Sequence, residues 1–282
     1  NFEIKANYYR ADCYCKKGDY DLALADYLTV SSRGNSAYAE ASLLKASQMI
    51  YKKENYSQAL SLYVDLEKIA STTDNFYVSV TGQMRCFYYL NSIESASEYA
   101  DRALINEKVN EDEWVEAYFI KAVASEQKGE FEKALTFYQL VSDTTEAEFS
   151  AESKYHMAEI YYKMDSFDLV TAQINEIVTQ VPTYDYWIAK GLILLSDVFL
   201  ANGDIFQAKA TLQSIVDNYT GDQMLIQIAE TNLQKLIEME IPEEEVEEEP
   251  MQIDFGDLNE EMELLFEDEE EVDEELPSNK ND

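Results

Sequence analysis

One eleven-residue stretch decides the fold: residues 17–27 read KGDYDLALADY. The pattern returns at 128–138 as KGEFEKALTFY, and in shorter or weaker form at 202–208 as NGDIFQA and at 54–63 as ENYSQALSLY. Each copy has a small or polar turn, an aromatic or aliphatic residue, and an alanine three positions later. Self-similarity of this kind is the sequence signature of a repeat architecture. We therefore expect an array of similar units.

The alanine of this pattern measures the repeat length. It falls at positions 23, 59, 96, 134 and 208, with Val170 in its place in the fifth unit, so the spacings are 36, 37, 38, 36 and 38 residues. After the first turn, Tyr20, Ala23, Tyr27 and Val30 lie three and four positions apart, the spacing of one helix face. The first 180 residues contain no proline, which favours helices joined by short turns.

These stretches resemble the tetratricopeptide repeat, a pair of helices whose second member carries the aromatic, alanine and tyrosine positions. The resemblance covers about residues 1–221 and is weakest in the third unit, where Met84 replaces a small residue and we expect local distortion. It implies an all-α fold, a right-handed α-solenoid of six helix pairs with a C-terminal capping helix and an acidic tail. The predicted segments are repeats at 1–38, 39–76, 77–113, 114–150, 151–186 and 187–221, a capping helix at 222–241, and a tail at 242–282.

The start of the chain predicts a missing upstream part. Asn1 already lies inside an amphipathic helical pattern, and Phe2, Ile4 and Tyr8 are expected to pack against preceding sequence. We interpret the chain as the C-terminal part of a larger tetratricopeptide-repeat protein, and its Tyr, Asn and Glu usage favours a bacterial one. The compartment stays open, with a lean towards the bacterial cell envelope or periplasm.

The charge of the chain narrows the classes of partner. The formal net charge is -36, and residues 242–282 contain 20 Asp and Glu against one Lys. Phosphate binding requires clustered Lys and Arg, so nucleic acid and anionic membrane are not expected partners. No run of about 18 apolar residues occurs, so no membrane-spanning segment is predicted.

The sequence offers little catalytic chemistry. His156 is the only histidine, the cysteines Cys13, Cys15 and Cys86 form no CxxC pair, and no glycine-rich nucleotide-binding motif occurs. We predict that the protein is not an enzyme and has no cofactor and no metal site.

The resemblance also implies a binding surface. In this family the first helix of each repeat lines a concave face, where tyrosine rings would supply rigid area for a peptide or protein ligand. A chaperone-binding carboxylate clamp is disfavoured, because Tyr8 and Asp12 stand where such proteins carry Lys and Asn. The predicted partner-binding residues are Tyr8, Asp12, Tyr51, Lys52, Arg85, Tyr88, Phe119, Tyr155, Tyr162 and Lys163.

The acidic tail contains a second candidate motif near residues 253–266. Phe255, Leu258, Met262 and Leu265 are spaced three, four and three apart, so a helix would place them on one face. One hypothesis is that this segment docks on a helical groove, either its own or that of a partner. The alternative is a solubilising tail with incidental apolar residues.

Three functions follow from these features. The leading one is a protein–protein interaction scaffold that binds a peptide or protein on its concave face. The first alternative is a bacterial cell-envelope assembly factor, of the kind associated with the Tol-Pal system or the outer membrane. The second alternative, which rests on the tail, is an acidic chaperone for basic proteins.

Overall fold

The structure is a computed structural model that describes residues 2–33, 36–106 and 109–240. Across these ranges the chain forms thirteen α-helices and no strand, which confirms the predicted all-α class. The candidate tail helix at 253–266 lies outside the described residues. The helices are α1 (Phe2–Lys17), α2 (Tyr20–Ser31), α3 (Ala37–Lys52), α4 (Tyr56–Ile69), α5 (Thr73–Tyr89), α6 (Ile93–Leu104), α7 (Glu111–Gln127), α8 (Phe131–Thr144), α9 (Glu148–Lys163), α10 (Phe167–Thr179), α11 (Asp185–Ala201), α12 (Ile205–Asn218) and α13 (Gln223–Glu240).

The first twelve helices form six hairpins. Each odd-numbered helix from α1 to α11 packs against the even-numbered helix that follows it, and each hairpin packs against the next. Neighbouring odd-numbered helices also contact one another along the whole series. The surface formed by α1, α3, α5, α7, α9 and α11 is called the first-helix face below.

All six hairpins use the same turn. One residue in each turn has a left-handed backbone, and the backbone N–H of the residue after it bonds to a carbonyl five positions back, as in Asp19 N to Tyr14 O at 2.9 Å. This is the Schellman arrangement, which satisfies carbonyls at the helix end. The left-handed residues are Gly18, Glu54, Asn91, Gly129, Asp165 and Gly203, with φ between 55° and 84°.

The alanine recurs in the second helices because its position is buried between neighbouring helices. Positions 23, 59, 96, 134, 170 and 208 are all fully buried, at the place where each second helix meets its neighbours. A small side chain there lets the helix backbones approach closely. The same holds in the first helices for Ala11, Ala122 and Ala158.

The third repeat is regular, so the expected distortion is not seen. Helix α5 runs unbroken through Met84, whose side chain is fully buried. Close approach is provided instead by Gly82, where an added Cβ would lie 2.5 Å from the ring of Tyr63. A glycine two residues upstream thus makes the room that a small residue at 84 makes in other repeats.

The last helix covers the end of the array. Leu225, Ala229 and Leu236 of α13 are buried against Ala208 and Leu212 of the sixth hairpin. At the other end Phe2 is 86 % exposed. None of the described helices combines the length and apolar character needed to span a bilayer.

Candidate functional site

A cavity of about 450 Å³, called the central cavity here, lies on the first-helix face. Five successive first helices, α3, α5, α7, α9 and α11, contribute all of its lining side chains. The lining residues are Tyr51, Arg85, Tyr88, Tyr89, Glu116, Phe119, Ile120, Glu148, Phe149, Glu152 and Trp187.

The walls of the central cavity are aromatic. The ring of Phe119, only 1 % exposed, packs edge-on against Tyr88 at 6.2 Å between centroids and against Phe149 at 5.0 Å. On the side of α3, Tyr89 packs against Tyr51 at 6.1 Å and stacks on Tyr56 at 4.5 Å. Interlocked rings of this kind form rigid walls that keep their shape without a ligand.

The charges in the central cavity are unbalanced. Arg85 Nε donates to Glu116 Oε2 at 2.6 Å, so its guanidinium is already paired. Glu148 accepts a hydrogen bond from the indole N–H of Trp187 at 3.2 Å. Among the described residues, neither Glu148 nor Glu152 has a Lys, Arg or His nitrogen within 4.0 Å. Burial raises the pKa of Glu152 to about 7; the charges of His156 and Lys190 oppose this rise, and the charge of Glu148 adds to it.

A second group of charges, called the Glu126 cluster, is satisfied internally. Glu126 Oε2 accepts from the Tyr138 hydroxyl at 2.9 Å, and Lys163 Nζ donates to Oε1 at 3.1 Å. His156 Nδ1 lies 3.2 Å from Oε2, a contact that becomes an ion pair when the imidazole is protonated. Burial would raise the pKa of Glu126, but these three partners outweigh it and lower the value to about 2.

Part of this cluster could in principle hold a metal ion. Ligand atoms of Glu126, His156 and Glu159 lie within 4.8 Å of one another, and imidazole with carboxylates suits several divalent metals. Both carboxylates already have internal partners, since Tyr155 donates to Glu159 Oε1 at 3.0 Å and Lys163 brings a positive charge to Glu126. This group is therefore assigned to the packing of α7 and α9.

A smaller cavity of about 340 Å³, the N-terminal cavity, lies between α1 and α3. Its charge differs from that of the central cavity, because three lysines line it and only one carboxylate does. Lys45 is bound to that carboxylate, Asp12, which also accepts from the Tyr27 hydroxyl. The lining residues are Asp12, Cys15, Lys16, Tyr27, Lys45, Gln48, Met49 and Lys52.

The structure divides the predicted partner-binding residues between these places. Tyr51, Arg85, Tyr88 and Phe119 line the central cavity. Asp12 and Lys52 line the N-terminal cavity, while Tyr8 packs against Tyr38 at 5.2 Å between centroids.

The remaining three predicted residues lie outside both cavities. Tyr155 is 7 % exposed and packs against Trp187, with the ammonium of Lys190 4.1 Å from its ring centroid. Tyr162 is half-buried against Phe167, at 5.7 Å between ring centroids. Lys163 belongs to the Glu126 cluster.

The sequence prediction omitted the acidic half of the central cavity. Glu116 and Glu152 each precede a predicted position, Phe119 or Tyr155, by three residues, so they extend the same helix face by one turn. Phe149 and Trp187 were also omitted, although each lies sixteen residues before the left-handed residue of its hairpin. Carrying the face one turn further towards the helix N-termini would have found Glu116 and Glu152, and a second turn would have found Phe149; no predicted residue on α11 led to Trp187.

Six equivalent helix hairpins with a cavity across their first helices define a helical-repeat protein of the solenoid class. A family model described as tetratricopeptide repeat matches residues 191–221, which cover most of α11, α12 and the turn between them. This match identifies a tetratricopeptide repeat in the sixth hairpin, and the other five hairpins share its helix–turn–helix architecture.

Solved structures show the same architecture. PilW, a type IV pilus biogenesis factor, is 14 % identical over 81 % of this chain and 99 % of its own, with a TM-score of 0.57. The C-terminal part of a repeat protein from Cytophaga hutchinsonii is 17 % identical over 79 % and 86 %, with a TM-score of 0.55. Pseudomonas aeruginosa PilF is 13 % identical over 82 % and 97 %, with a TM-score of 0.54. At these identities the likeness concerns the fold alone. No curated protein matches the chain by sequence.

Proposed function

We propose that this protein is an interaction scaffold that binds an extended protein or peptide segment on its first-helix face, with the central cavity as the main anchoring point. One observation carries the proposal: five successive first helices converge on one aromatic-walled cavity of about 450 Å³. A volume of a few hundred Å³ with apolar walls and a few polar groups is typical of binding sites. Rigid aromatic residues in such pockets supply most of the binding energy of interfaces.

The proposal includes the absence of catalysis. General acid–base work needs an ionisable group that faces a substrate without being held by a structural partner. The imidazole of His156 is stacked on Tyr138 with ring centroids 5.1 Å apart and lies against Glu126 and Glu159. These contacts support a packing role for the single histidine.

Envelope assembly, a chaperone role for basic proteins and docking of the tail remain hypotheses. PilW is described as a pilus biogenesis factor, but 14 % identity transfers a fold and not a role, so envelope assembly stays a prediction. The basic-protein chaperone depends on a tail outside the described residues. Docking of the tail segment on a helical groove also stays a hypothesis, because residues 253–266 lie outside the described residues.

The test uses peptides selected for binding. A random nonapeptide library is panned on the full chain, and the selected peptides are titrated by fluorescence anisotropy. Replacing Tyr51, Tyr88 and Tyr89 together by Ala is expected to weaken binding about tenfold or more, because the aromatic wall is lost. The matched control replaces two exposed second-helix aromatics, Tyr20 and Phe206, by Ala.

A second measurement keeps the test decisive if the triple variant unfolds. Hydrogen exchange of the wild-type chain is compared with and without a selected peptide. The proposal expects added protection in α5, α7 and α9, and it is overturned if protection appears only in even-numbered helices or nowhere.

A further inference from the structure

Two carboxylates of the central cavity have no cation within 4.0 Å among the described residues, and the positive charges of His156 and Lys190 act on Glu152 only from further away. Of its four ionisable groups with full charges, Arg85 and Glu116 neutralise each other across 2.6 Å. Glu148 and Glu152 remain. They lie four residues apart on α9, which places them one turn apart on the same helix side. The floor of the cavity therefore carries a concentrated negative charge.

The carboxylate of Glu148 is exposed but held in place, and that of Glu152 is partly desolvated. The indole N–H of Trp187 fixes the carboxylate of Glu148 at 3.2 Å. Glu152 is half-buried, and burial is the largest cause of its raised pKa of about 7. A carboxylate taken from water without a cation has lost solvation that no partner restores. A cation arriving from outside would restore it.

The aromatic walls suit the same kind of ligand. Tyr88, Phe119 and Phe149 face the cavity with Trp187, and ring faces attract ammonium and guanidinium groups. The protein already uses this chemistry next to the cavity, where the ammonium of Lys190 lies 4.1 Å from the Tyr155 centroid and 4.8 Å from that of Trp187.

From these observations we infer that the central cavity receives the arginine or lysine side chain of a basic partner segment, between the carboxylates of Glu148 and Glu152 and the aromatic wall. The inference rests on the proposed function, because it names the chemistry of the segment that the scaffold would bind. The acidic tail is not a basic segment of this kind, since residues 242–282 contain 20 Asp and Glu against one Lys.

Net charge alone would attract basic peptides to this chain. With a formal charge of -36, weak non-specific binding of any cationic peptide is expected, and it should decline steeply with salt. The experiment must therefore separate the cavity from the overall field. A double-mutant cycle between one peptide residue and one cavity residue does so.

The probes are end-capped nonapeptides selected from a random library on the full chain at pH 7.5 in 0.2 M NaCl. We expect arginine or lysine at one fixed position, and replacement of that residue by norleucine should lower affinity about tenfold for the wild-type chain. Against a Glu152→Gln variant the same replacement should change affinity only about threefold, because one of the two carboxylates that recognise the cation is gone. Glu132→Gln, at an exposed position of α8, removes the same charge elsewhere and should behave as wild type.

The possible results separate the two proposals. If selected peptides protect the first-helix face but contain no fixed cation, or if the norleucine effect is the same in Glu152→Gln as in wild type, the cationic inference is overturned and the scaffold stands. If no peptide protects the first-helix face, the scaffold proposal itself fails. Equal losses in Glu132→Gln and Glu152→Gln would assign the binding to net charge and also overturn the inference.

Discussion

Two half-buried glutamates on neighbouring first helices behave in opposite ways. Glu126 on α7 has a pKa lowered to about 2, and Glu152 on α9 has a pKa raised to about 7. Burial opposes ionisation in both, and the charge of His156 favours it in both. The other partners differ: Glu126 also has Tyr138 and Lys163 within bonding distance, whereas Glu152 has, among the described residues, only the more distant charge of Lys190. A carboxylate satisfied by its own fold supports the structure, and an unsatisfied one is available to a ligand.

The largest expected effect comes from removing the satisfied carboxylate. Glu126→Ala leaves the buried Tyr138 hydroxyl without its acceptor and separates Lys163 and His156 from their shared partner. We expect a loss of about 2–3 kcal/mol in the free energy of unfolding at pH 7, measured by urea denaturation. Glu132→Ala on the exposed side of α8 is the control and should change stability by less than about 0.5 kcal/mol.

The stability contributed by Glu126 is expected to depend on pH. Because the folded pKa of Glu126 lies below the ordinary value of 4.5, its stabilisation is fully present above about pH 4.5 and is lost as the pH falls towards 2. The difference between wild type and Glu126→Ala should therefore shrink on acidification. A difference that stays constant from pH 7 to pH 3 would show that packing, not charge, explains the loss.

Removing the charge of Glu152 is expected to increase the free energy of unfolding, whereas removing Glu126 decreases it. The folded pKa of Glu152 lies above its ordinary value of 4.5, so the folded state binds more protons between pH 4.5 and about 7 and stability falls as the pH rises through that window. Glu152→Gln removes this penalty. We expect a gain of about 1–2 kcal/mol at pH 8 and little at pH 4, after allowing for partial exposure of the carboxylate.

Urea denaturation of both proteins at pH 4 and pH 8 measures this gain. The Glu126 cluster is unchanged by the substitution, so any common loss at low pH cancels in the comparison. A Glu152→Gln variant that is less stable than wild type at pH 8 would mean that the carboxylate has a partner, and the contrast between the two glutamates would disappear.

The smallest expected change in stability comes from removing a single hydrogen bond in the Glu126 cluster. Tyr138→Phe removes one hydrogen bond to Glu126 and keeps the ring packing, so we expect a loss of about 1 kcal/mol and a rise in the pKa of Glu126. The pKa change is read by NMR titration of the side-chain carboxyl. Tyr88→Phe in the central cavity is the matched control, since the Tyr88 hydroxyl has no hydrogen bond among the described residues. Equal losses in both variants would point to a general effect of hydroxyl removal.

The fold could be predicted because its signals are local. The alanine at positions such as 23 and 134 follows an aromatic residue by three positions, and both the turn and the close helix approach act within one hairpin. The expected distortion at Met84 was wrong because the room was made by Gly82, against a ring nineteen residues away in sequence. A sequence pattern that considers position 84 alone does not show that Gly82 provides the space for close helix packing.

The site was harder to predict because exposure depends on neighbours in other repeats. Tyr51 and Tyr155 were chosen by the same rule, yet Tyr51 lines the cavity while Trp187, 32 residues further along the chain, covers Tyr155. The acidic character of the cavity depends on which carboxylates find cations. Glu116 forms an ion pair with Arg85 on α5. Glu152 occupies the same place in its repeat but has no ion-pair partner within 4.0 Å among the described residues.

The six left-handed turn residues mark equivalent points at which whole repeats could be removed or added. Because each joint has the same backbone geometry, the segment from one joint to the next is a module that could be excised without altering either junction. Deleting residues 55–91, for example, would connect Glu54 directly to Ser92 and leave one Schellman turn where two had been. Evolution by duplication, and shortening or extension by design, would meet the fewest obstacles at these six positions.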